Sequence, residues 1–107
     1  MVRLTEERFE QIAARFRALA EPARLQIIDA LRNREMTVTE LGSKTGLGQA
    51  NLSKHLQILH NLGFVARRKT GLFVHYSLAD RRVLQLCEIV CDRIDGEATS
   101  RRRLLAP

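Results

Sequence analysis

Six residues within one short segment carry the side-chain chemistry that reads DNA bases. An amide pairs bidentately with adenine, a hydroxyl donates or accepts, a small methyl group touches the methyl of thymine, and an amine reaches guanine or phosphate. The segment supplies these groups together with an imidazole, in Gln49, Ala50, Asn51, Ser53, Lys54 and His55. It therefore predicts a surface that contacts the major groove of double-stranded DNA.

The same segment has the spacing of an amphipathic helix that runs from Gln49 to Leu62. Its apolar stripe would hold the helix on the body of the domain and leave the polar side chains outside. The stripe consists of Leu52, Leu56, Leu59 and Leu62. Any solvated helix also has a polar outer face, so this pattern alone does not decide in favour of DNA.

The distribution of charge favours an anionic partner for this part of the chain. The protein has 18 Lys and Arg against 12 Asp and Glu, a formal net charge of +6. From Leu41 to Leu78 there is no acidic residue at all, whereas a merely soluble surface would mix both signs. A segment without carboxylates does not repel phosphate, and we therefore expect it to face nucleic acid.

A basic hairpin is predicted directly after this helix. Phe64–Lys69 and Leu72–Leu78 are rich in β-branched and aromatic residues, and Thr70-Gly71 between them suits a tight turn. The first strand ends in the cations Arg67, Arg68 and Lys69. Such a ribbon can straddle a phosphate backbone or enter a minor groove. The alternative is an edge hairpin that its charge protects from aggregation.

The remaining patterns place helices around these two elements. A chain of 107 residues fits one domain. Apolar spacing, capping residues and glycines predict helices over residues 5–19, 22–32, 38–45 and 80–96, and a flexible tail over residues 97–107. The predicted fold is mostly α with a small β-hairpin wing, a winged helix-turn-helix with the helix-turn-helix at 38–62 and the wing at 64–78.

The sequence favours a cytoplasmic protein over a membrane-bound or secreted one. No apolar run approaches the ~18 residues of a membrane-spanning helix, and the charged amino-terminal segment lacks the apolar stretch of a signal peptide. The two cysteines are too few for a disulfide framework. We therefore expect a cytoplasmic protein with reduced thiols and no membrane partner.

Taken together, these motifs resemble those of the ArsR/SmtB family of winged-helix repressors. The resemblance covers Phe16 to Leu78 and includes Glu-Pro-x-Arg-Leu from Glu21, Asn-Leu-Ser-Lys-His-Leu from Asn51, and the glycine and tyrosine of the hairpin. Gly48 replaces the usual serine cap of the DNA-reading helix, and glycine is an acceptable cap.

The resemblance implies a homodimeric transcriptional repressor that leaves a palindromic operator when an inducer binds. In such a dimer the helices at 5–19 and 80–96 form the interface. The DNA-reading positions are those of Gln49, Ala50, Asn51, Ser53, Lys54 and His55. A symmetric dimer would place its two DNA-reading helices about 34–36 Å apart, one turn of DNA.

The metal sites of the family are not matched. Its metal sensors use a Cys-x-Cys pair where this chain has Thr37-Val38-Thr39, and hydroxyls are not ligands for soft metals. Its fifth-helix zinc sites keep only Asp80 here, since Arg82, Arg93 and Gly96 stand at the other ligand positions. Asp29 replaces the second-helix cysteine of its cysteine-switch members. We therefore expect no metal site and no cofactor.

Cys87 and Cys91 lie one helical turn apart, and two interpretations stay open for them. They are either small buried hydrophobic residues, or an effector or redox site for a soft ion, an oxidant or a reactive sulfur species. Their Cβ atoms would be about 5–6 Å apart on a helix, whereas a disulfide needs roughly 3.5–4.5 Å. A metal ion, a longer sulfur chain or the thiols of a second copy would fit better than a bridge within the helix.

Two other classes of function compete with a DNA-binding regulator. A small thiol enzyme would need a histidine as base for Cys87 or Cys91, but the histidines lie in the DNA-reading helix and the hairpin, and we expect no catalytic residue. A winged helix that binds protein is the second alternative, and the segment without carboxylates argues against it.

Overall fold

The computed structural model describes residues 3–105, with the side chains of residues 3–99 and 101. Its elements are α1 (Glu6–Leu19), α2 (Pro22–Ala30), β1 (Met36–Thr37), α3 (Val38–Thr45), α4 (Gln49–Asn61), β2 (Val65–Thr70), β3 (Phe73–Leu78) and α5 (Val83–Leu105). The mostly helical architecture with a hairpin after α4 confirms the predicted winged helix-turn-helix.

Local capping chemistry sets the limits of the helix-turn-helix. The side chain of Thr37 accepts a hydrogen bond from the backbone N–H of Glu40, and the Glu40 carboxylate accepts one from the backbone N–H of Thr37. This reciprocal box satisfies two backbone donors that the first turn of α3 would otherwise leave unpaired. Gly46 ends α3 with a φ of 76°, a left-handed conformation that a Cβ atom disfavours. The turn that leads to α4 is therefore fixed by the sequence itself.

The core joins α2, α3, α4 and the base of the sheet. Its fully buried side chains are Ile27, Ile28, Leu31, Leu41, Leu52, Leu56 and Leu59. Val65 and Met36 extend the same cluster into the strands. Because three leucines of α4 are buried there, α4 is held firmly and its other face is left to solvent.

The sheet contains one strand more than the sequence predicts. Its antiparallel order is β1-β3-β2, and β1 is a two-residue strand, Met36–Thr37, that is too short to produce an alternating pattern. The predicted hairpin is present, but its two-residue loop is Gly71 and Leu72 and not the predicted Thr70 and Gly71, because Thr70 still pairs with Phe73 as the last residue of β2. Gly71 has a φ of 60° and Leu72 does not have a positive φ, which is the sign pattern of a type II′ turn.

The predicted end of the last helix is wrong. We expected that helix to stop at residue 96 and residues 97–107 to form a flexible tail, but α5 continues to Leu105. Residues 106 and 107 lie outside the described part of the chain. The apolar period fades after Ile94, but the residues that follow include good helix formers, and a solvated helix needs no apolar stripe to continue.

Candidate nucleic-acid interface

The outer face of α4 carries a set of exposed polar and small side chains. Five of the six predicted DNA-contacting residues of this helix are exposed, namely Gln49, Ala50, Asn51, Ser53 and Lys54. The leucines at 52, 56 and 59 are completely buried on the other side. A rigid helix with short donors and acceptors on its free side matches the width and chemistry of the major groove.

His55 differs from its neighbours because it is half-buried against α2. Its Nδ1 lies 3.3 Å from Nη1 of Arg24, and Nε of the same arginine donates to the backbone oxygen of Ala18 at 2.5 Å. Since a guanidinium only donates, Nδ1 of His55 can only accept in this contact. Arg24, which we did not predict as a functional residue, thus ties α4 to α2 and to the end of α1.

Two further residues extend the exposed face of α4 toward its carboxyl end. Gln57 and Asn61 are exposed, and Nε2 of Gln57 donates to Oδ1 of Asn61 at 2.8 Å. They follow Ser53 at intervals of four, so helical spacing was the signal that could have added them to the predicted site.

The three predicted cations of the hairpin lie on different faces of the sheet. Arg67 is opposite Tyr76 and Lys69 is opposite Val74, whereas Arg68 is opposite His75. Because side chains alternate along a strand, Arg67 and Lys69 share one face and Arg68 lies on the other. All three are exposed.

Arg68 is already engaged within the protein. Its Nη2 lies 2.5 Å from Oε1 of Glu35, which precedes β1, and its Nη1 donates to the hydroxyl of Thr70. The hydrogen bond from Arg68 lowers the pKa of the Glu35 carboxyl below its usual value. Glu35 was not among the predicted site residues, and no local pattern connects it to a strand 33 residues away. The pair fastens one face of the hairpin to the body of the domain.

A separate apolar surface lies on α1 and α5, and we refer to it as the α1/α5 apolar face. It consists of Phe9, Ile12, Phe16, Leu86, Ile89, Val90 and Ile94, all of them exposed. Cys87 is half-buried and Cys91 is exposed on the same part of α5. Among the described side chains of α5, only Val83 and Leu84 are buried. Most of the described side chains of α5 are therefore not covered by the rest of the chain.

Thr37 and Asp80, which stand at metal-ligand positions of the family, make hydrogen bonds within the chain. The hydroxyl of Thr37 caps α3, and the Asp80 carboxylate accepts three hydrogen bonds from the Arg82 side chain at 2.7–3.1 Å and one from the Arg82 backbone N–H at 2.9 Å. These bonds lower the pKa of Asp80 from 3.8 to about 2. Within the described part of the chain, no group of three or more His, Cys, Asp or Glu side chains is placed to hold a metal ion.

Among the described residues, no helix combines the length and the hydropathy of a membrane span.

Asp80 makes stability depend on pH at the start of α5. Because its pKa is lower in the folded chain than in the unfolded chain, its contribution is complete above about pH 3.8 and is lost as the pH falls through about 2. We expect Asp80→Asn to lower the free energy of unfolding near neutral pH and to reduce the acid dependence in this interval. Urea unfolding at a series of pH values measures both effects.

The partner residue provides the control for that measurement. Arg82→Gln should remove only part of the acid dependence, because the backbone N–H of residue 82 still donates to Asp80. The double variant should lose no more stability than Asp80→Asn alone, because the side-chain pair is already absent in that variant. Additive losses would contradict the assignment of the low pKa to this contact.

Three comparisons place these features among known proteins. Residues 21–67 match the family model described as bacterial regulatory protein, arsR family. Over 85 residues the chain is 36% identical to a transcriptional repressor SmtB homolog from Synechocystis sp., covering 79% of this chain and 64% of that protein.

Two solved structures share the fold over nearly the whole chain. The crystal structure of Rv0081 from Mycobacterium tuberculosis has a TM-score of 0.80 and 33% identity, covering 91% of this chain and 98% of the other. The solution structure of the homodimeric winged helix-turn-helix DNA-binding domain of Mb0332 from Mycobacterium bovis, a possible ArsR-family regulator, has a TM-score of 0.76 and 29% identity, with coverages of 91% and 95%.

Proposed function

This chain belongs to the ArsR family of bacterial regulatory proteins, and we propose that it is a homodimeric repressor that binds a palindromic operator in double-stranded DNA. The observation that carries the proposal is the exposed face of α4. That face presents amide, hydroxyl, methyl and amine groups with no carboxylate, on a helix whose other side is buried in the core. The relative from Synechocystis is named as a transcriptional repressor, which supports repression rather than activation.

The α1/α5 apolar face supports the homodimer. Phe9 and Phe16 of α1 are 55% and 57% exposed, and Ile94 of α5 is 57% exposed. If a second copy covers the apolar side chains of these two helices, the dimer is stabilised by about 25 cal/mol per Å² of apolar area removed from water. The homodimeric domain from Mycobacterium bovis has the same fold. A two-fold axis would present two copies of α4 to DNA and so requires a palindromic site.

The contacts of His55 and Arg68 within the chain favour a narrower part in DNA binding for these two residues than the sequence suggests. We propose that His55, held through Nδ1 by Arg24, offers only its Nε2 proton and does so to a phosphate rather than to a base edge. We propose that Arg68 orients the hairpin through Glu35, while Arg67 and Lys69 on the other face contact the DNA backbone. Gln57 and Asn61 join Gln49, Ala50, Asn51, Ser53 and Lys54 as candidate groove contacts.

The experiment that tests the proposal is a titration of labelled duplexes from the promoter beside the protein's own gene. Fluorescence anisotropy should show one dimer per palindromic duplex and weaker binding to a scrambled duplex of equal length. If about six phosphates are contacted, affinity should fall by about 10³ between 50 and 200 mM salt. Equal affinity for both duplexes at every salt concentration would contradict sequence-specific binding.

The thiols of Cys87 and Cys91 are the groups that we consider for a reaction with an inducer. We propose that Cys87 and Cys91 respond to a soft ion, an oxidant or a reactive sulfur species, because the structure leaves Cys91 exposed beside the side chains that the second copy would cover. An added group at this position would occupy space that the dimer needs. The described part of the chain contains no hydrogen bond between either thiol and a histidine, so the proposal assigns them no catalytic role. We also propose that the protein acts in the cytoplasm, where a bacterial operator is found.

Modification of Cys91 should therefore weaken the dimer. We expect methylation of the free thiols or addition of arsenite to raise the dimer dissociation constant by about tenfold or more, since overpacking an interface by one group costs about 1–3 kcal/mol. Sedimentation equilibrium measures the effect. Cys91→Ser should remove most of it, and Cys87→Ser should retain part of it. An unchanged dimer in the fully modified protein would leave the thiols with a packing role alone.

A further inference from the structure

The tip of the wing, the hairpin of β2 and β3, carries an apolar side chain where polar residues are usual. Leu72, in the two-residue loop, is 97% exposed, the highest value among the exposed large apolar residues, and the next residue, Phe73, is 64% exposed. The other exposed apolar residues fall mainly on the α1/α5 apolar face, so the proposed dimer accounts for them. It does not account for a leucine at a hairpin tip, because a tight turn places its loop residues away from the strands that pack on the core.

Two features of the wing restrain the position of this tip, namely the contacts of Arg68 and the short loop. Arg68 binds Glu35 of the domain body at 2.5 Å and also donates to Thr70, the last residue of β2 before the turn. The Gly71–Leu72 loop is the shortest that joins two paired strands, and Thr70 and Phe73 pair directly across it. A tip fixed at both its base and its last strand residue loses little conformational entropy when it inserts into a partner.

The positive charge around the tip favours an anionic partner, namely DNA. Lys69 is exposed close to the turn and Arg67 lies on the same face of β2. No acidic residue occurs between Leu41 and Leu78. The minor groove of DNA is about 6 Å wide, too narrow for a helix but open to a single side chain. Apolar residues that enter this groove beside cations separate adjacent base pairs and bend the duplex.

We propose that Leu72 is an apolar wedge that enters the minor groove beside the operator half-site and partly unstacks one base step, with Lys69 and Arg67 on the flanking phosphates. This inference rests on the proposed function, because it places the wedge beside a site that α4 occupies. It adds an apolar contact and a local kink in the DNA to the polar readout by α4. Each dimer would carry two such wedges, one at each outer end of the palindrome.

Unstacking is measured directly with 2-aminopurine, a fluorescent base that brightens when it loses its stacked neighbours. We place it at each step flanking the half-sites of the duplex that the wild-type dimer binds. The full-length dimer should brighten one flanking step on each side. Leu72→Ala should abolish the brightening and weaken affinity by at least about tenfold, because each dimer loses two leucine contacts. It should leave the salt dependence unchanged, because no phosphate contact is lost.

Two further variants separate a wedge from other roles of the wing. Lys69→Gln should reduce the slope of log affinity against log salt by about two per dimer while brightening persists. Leu4→Ala, the same truncation at another exposed leucine, should change neither readout.

The outcomes separate this proposal from the function on which it rests. If the dimer binds the operator and no flanking step brightens, or if Leu72→Ala behaves as wild type, the wedge is overturned and operator binding stands. If Leu72→Ala instead abolishes association with a second dimer or another protein, the wedge is likewise overturned. If the wild-type dimer prefers no duplex over a scrambled one, both proposals fall together.

Discussion

Asn51→Ala combined with Lys54→Ala should weaken operator binding by at least about a hundredfold at fixed salt. A bidentate contact to a base is worth about 1–3 kcal/mol of discrimination, and the dimer would lose two copies of it. Loss of Lys54 should also lower the slope of log affinity against log salt by about two, because two phosphate-range cations disappear. Both residues are exposed on α4, so the variant should fold as the wild type does.

The matched control carries the same loss of charge on another surface. Asn33→Ala with Arg32→Ala replaces an exposed amide and a cation after α2, where the only contact of Arg32 among the described ion pairs is with Asp29. This variant should bind the operator almost as tightly as wild type. Binding that is equally weak in the two double variants would mean that net charge, and not α4, determines affinity.

Val90→Arg should convert the dimer to a monomer and reduce operator affinity severely. Val90 is 58% exposed in the single chain and lies on the α1/α5 apolar face. An unpaired charge in a covered apolar interface costs about 3–5 kcal/mol, which corresponds to at least about a hundredfold rise in the dimer dissociation constant. Sedimentation equilibrium gives the association state, and an operator titration gives the consequence for DNA binding.

Thr99→Arg is the control for this substitution. Thr99 is exposed on the same helix, on the side that carries Glu88, Asp92 and Asp95, so the same new charge remains in solvent. We expect it to dimerise normally. A dimer that persists in Val90→Arg would show that another surface joins the two copies.

Much of the fold followed from local patterns in the sequence. The capping box at Thr37 and Glu40 and the left-handed Gly46 delimit α3, and the leucine spacing of α4 identifies its buried side. These signals act within one or two helical turns, which is why they are legible without a structure. The carboxylate-free segment likewise located the candidate DNA surface, since charge is read directly from the residue types.

The interactions that the sequence did not predict join residues far apart along the chain. Arg24 and His55 are 31 positions apart, and Glu35 and Arg68 are 33 positions apart, so no periodicity links the members of either pair. The strand Met36–Thr37 exists only because β3 pairs with it. The length of α5 differs from the prediction for another reason: its apolar period ends at Ile94, but a solvated helix can continue without an apolar stripe.

Cleavage of operator DNA by a probe attached at residue 53 would show whether α4 lies in the major groove. In a Cys87→Ser, Cys91→Ser background, an iron chelate attached to Ser53→Cys would generate radicals at the exposed face of α4. We predict two clusters of strand cuts in successive major grooves, about 10 base pairs apart, because a symmetric dimer places its two α4 helices one turn apart. A bound duplex without such cuts, or with cuts no stronger than those from a chelate at Asp92→Cys on α5, would contradict the placement of α4 in the major groove.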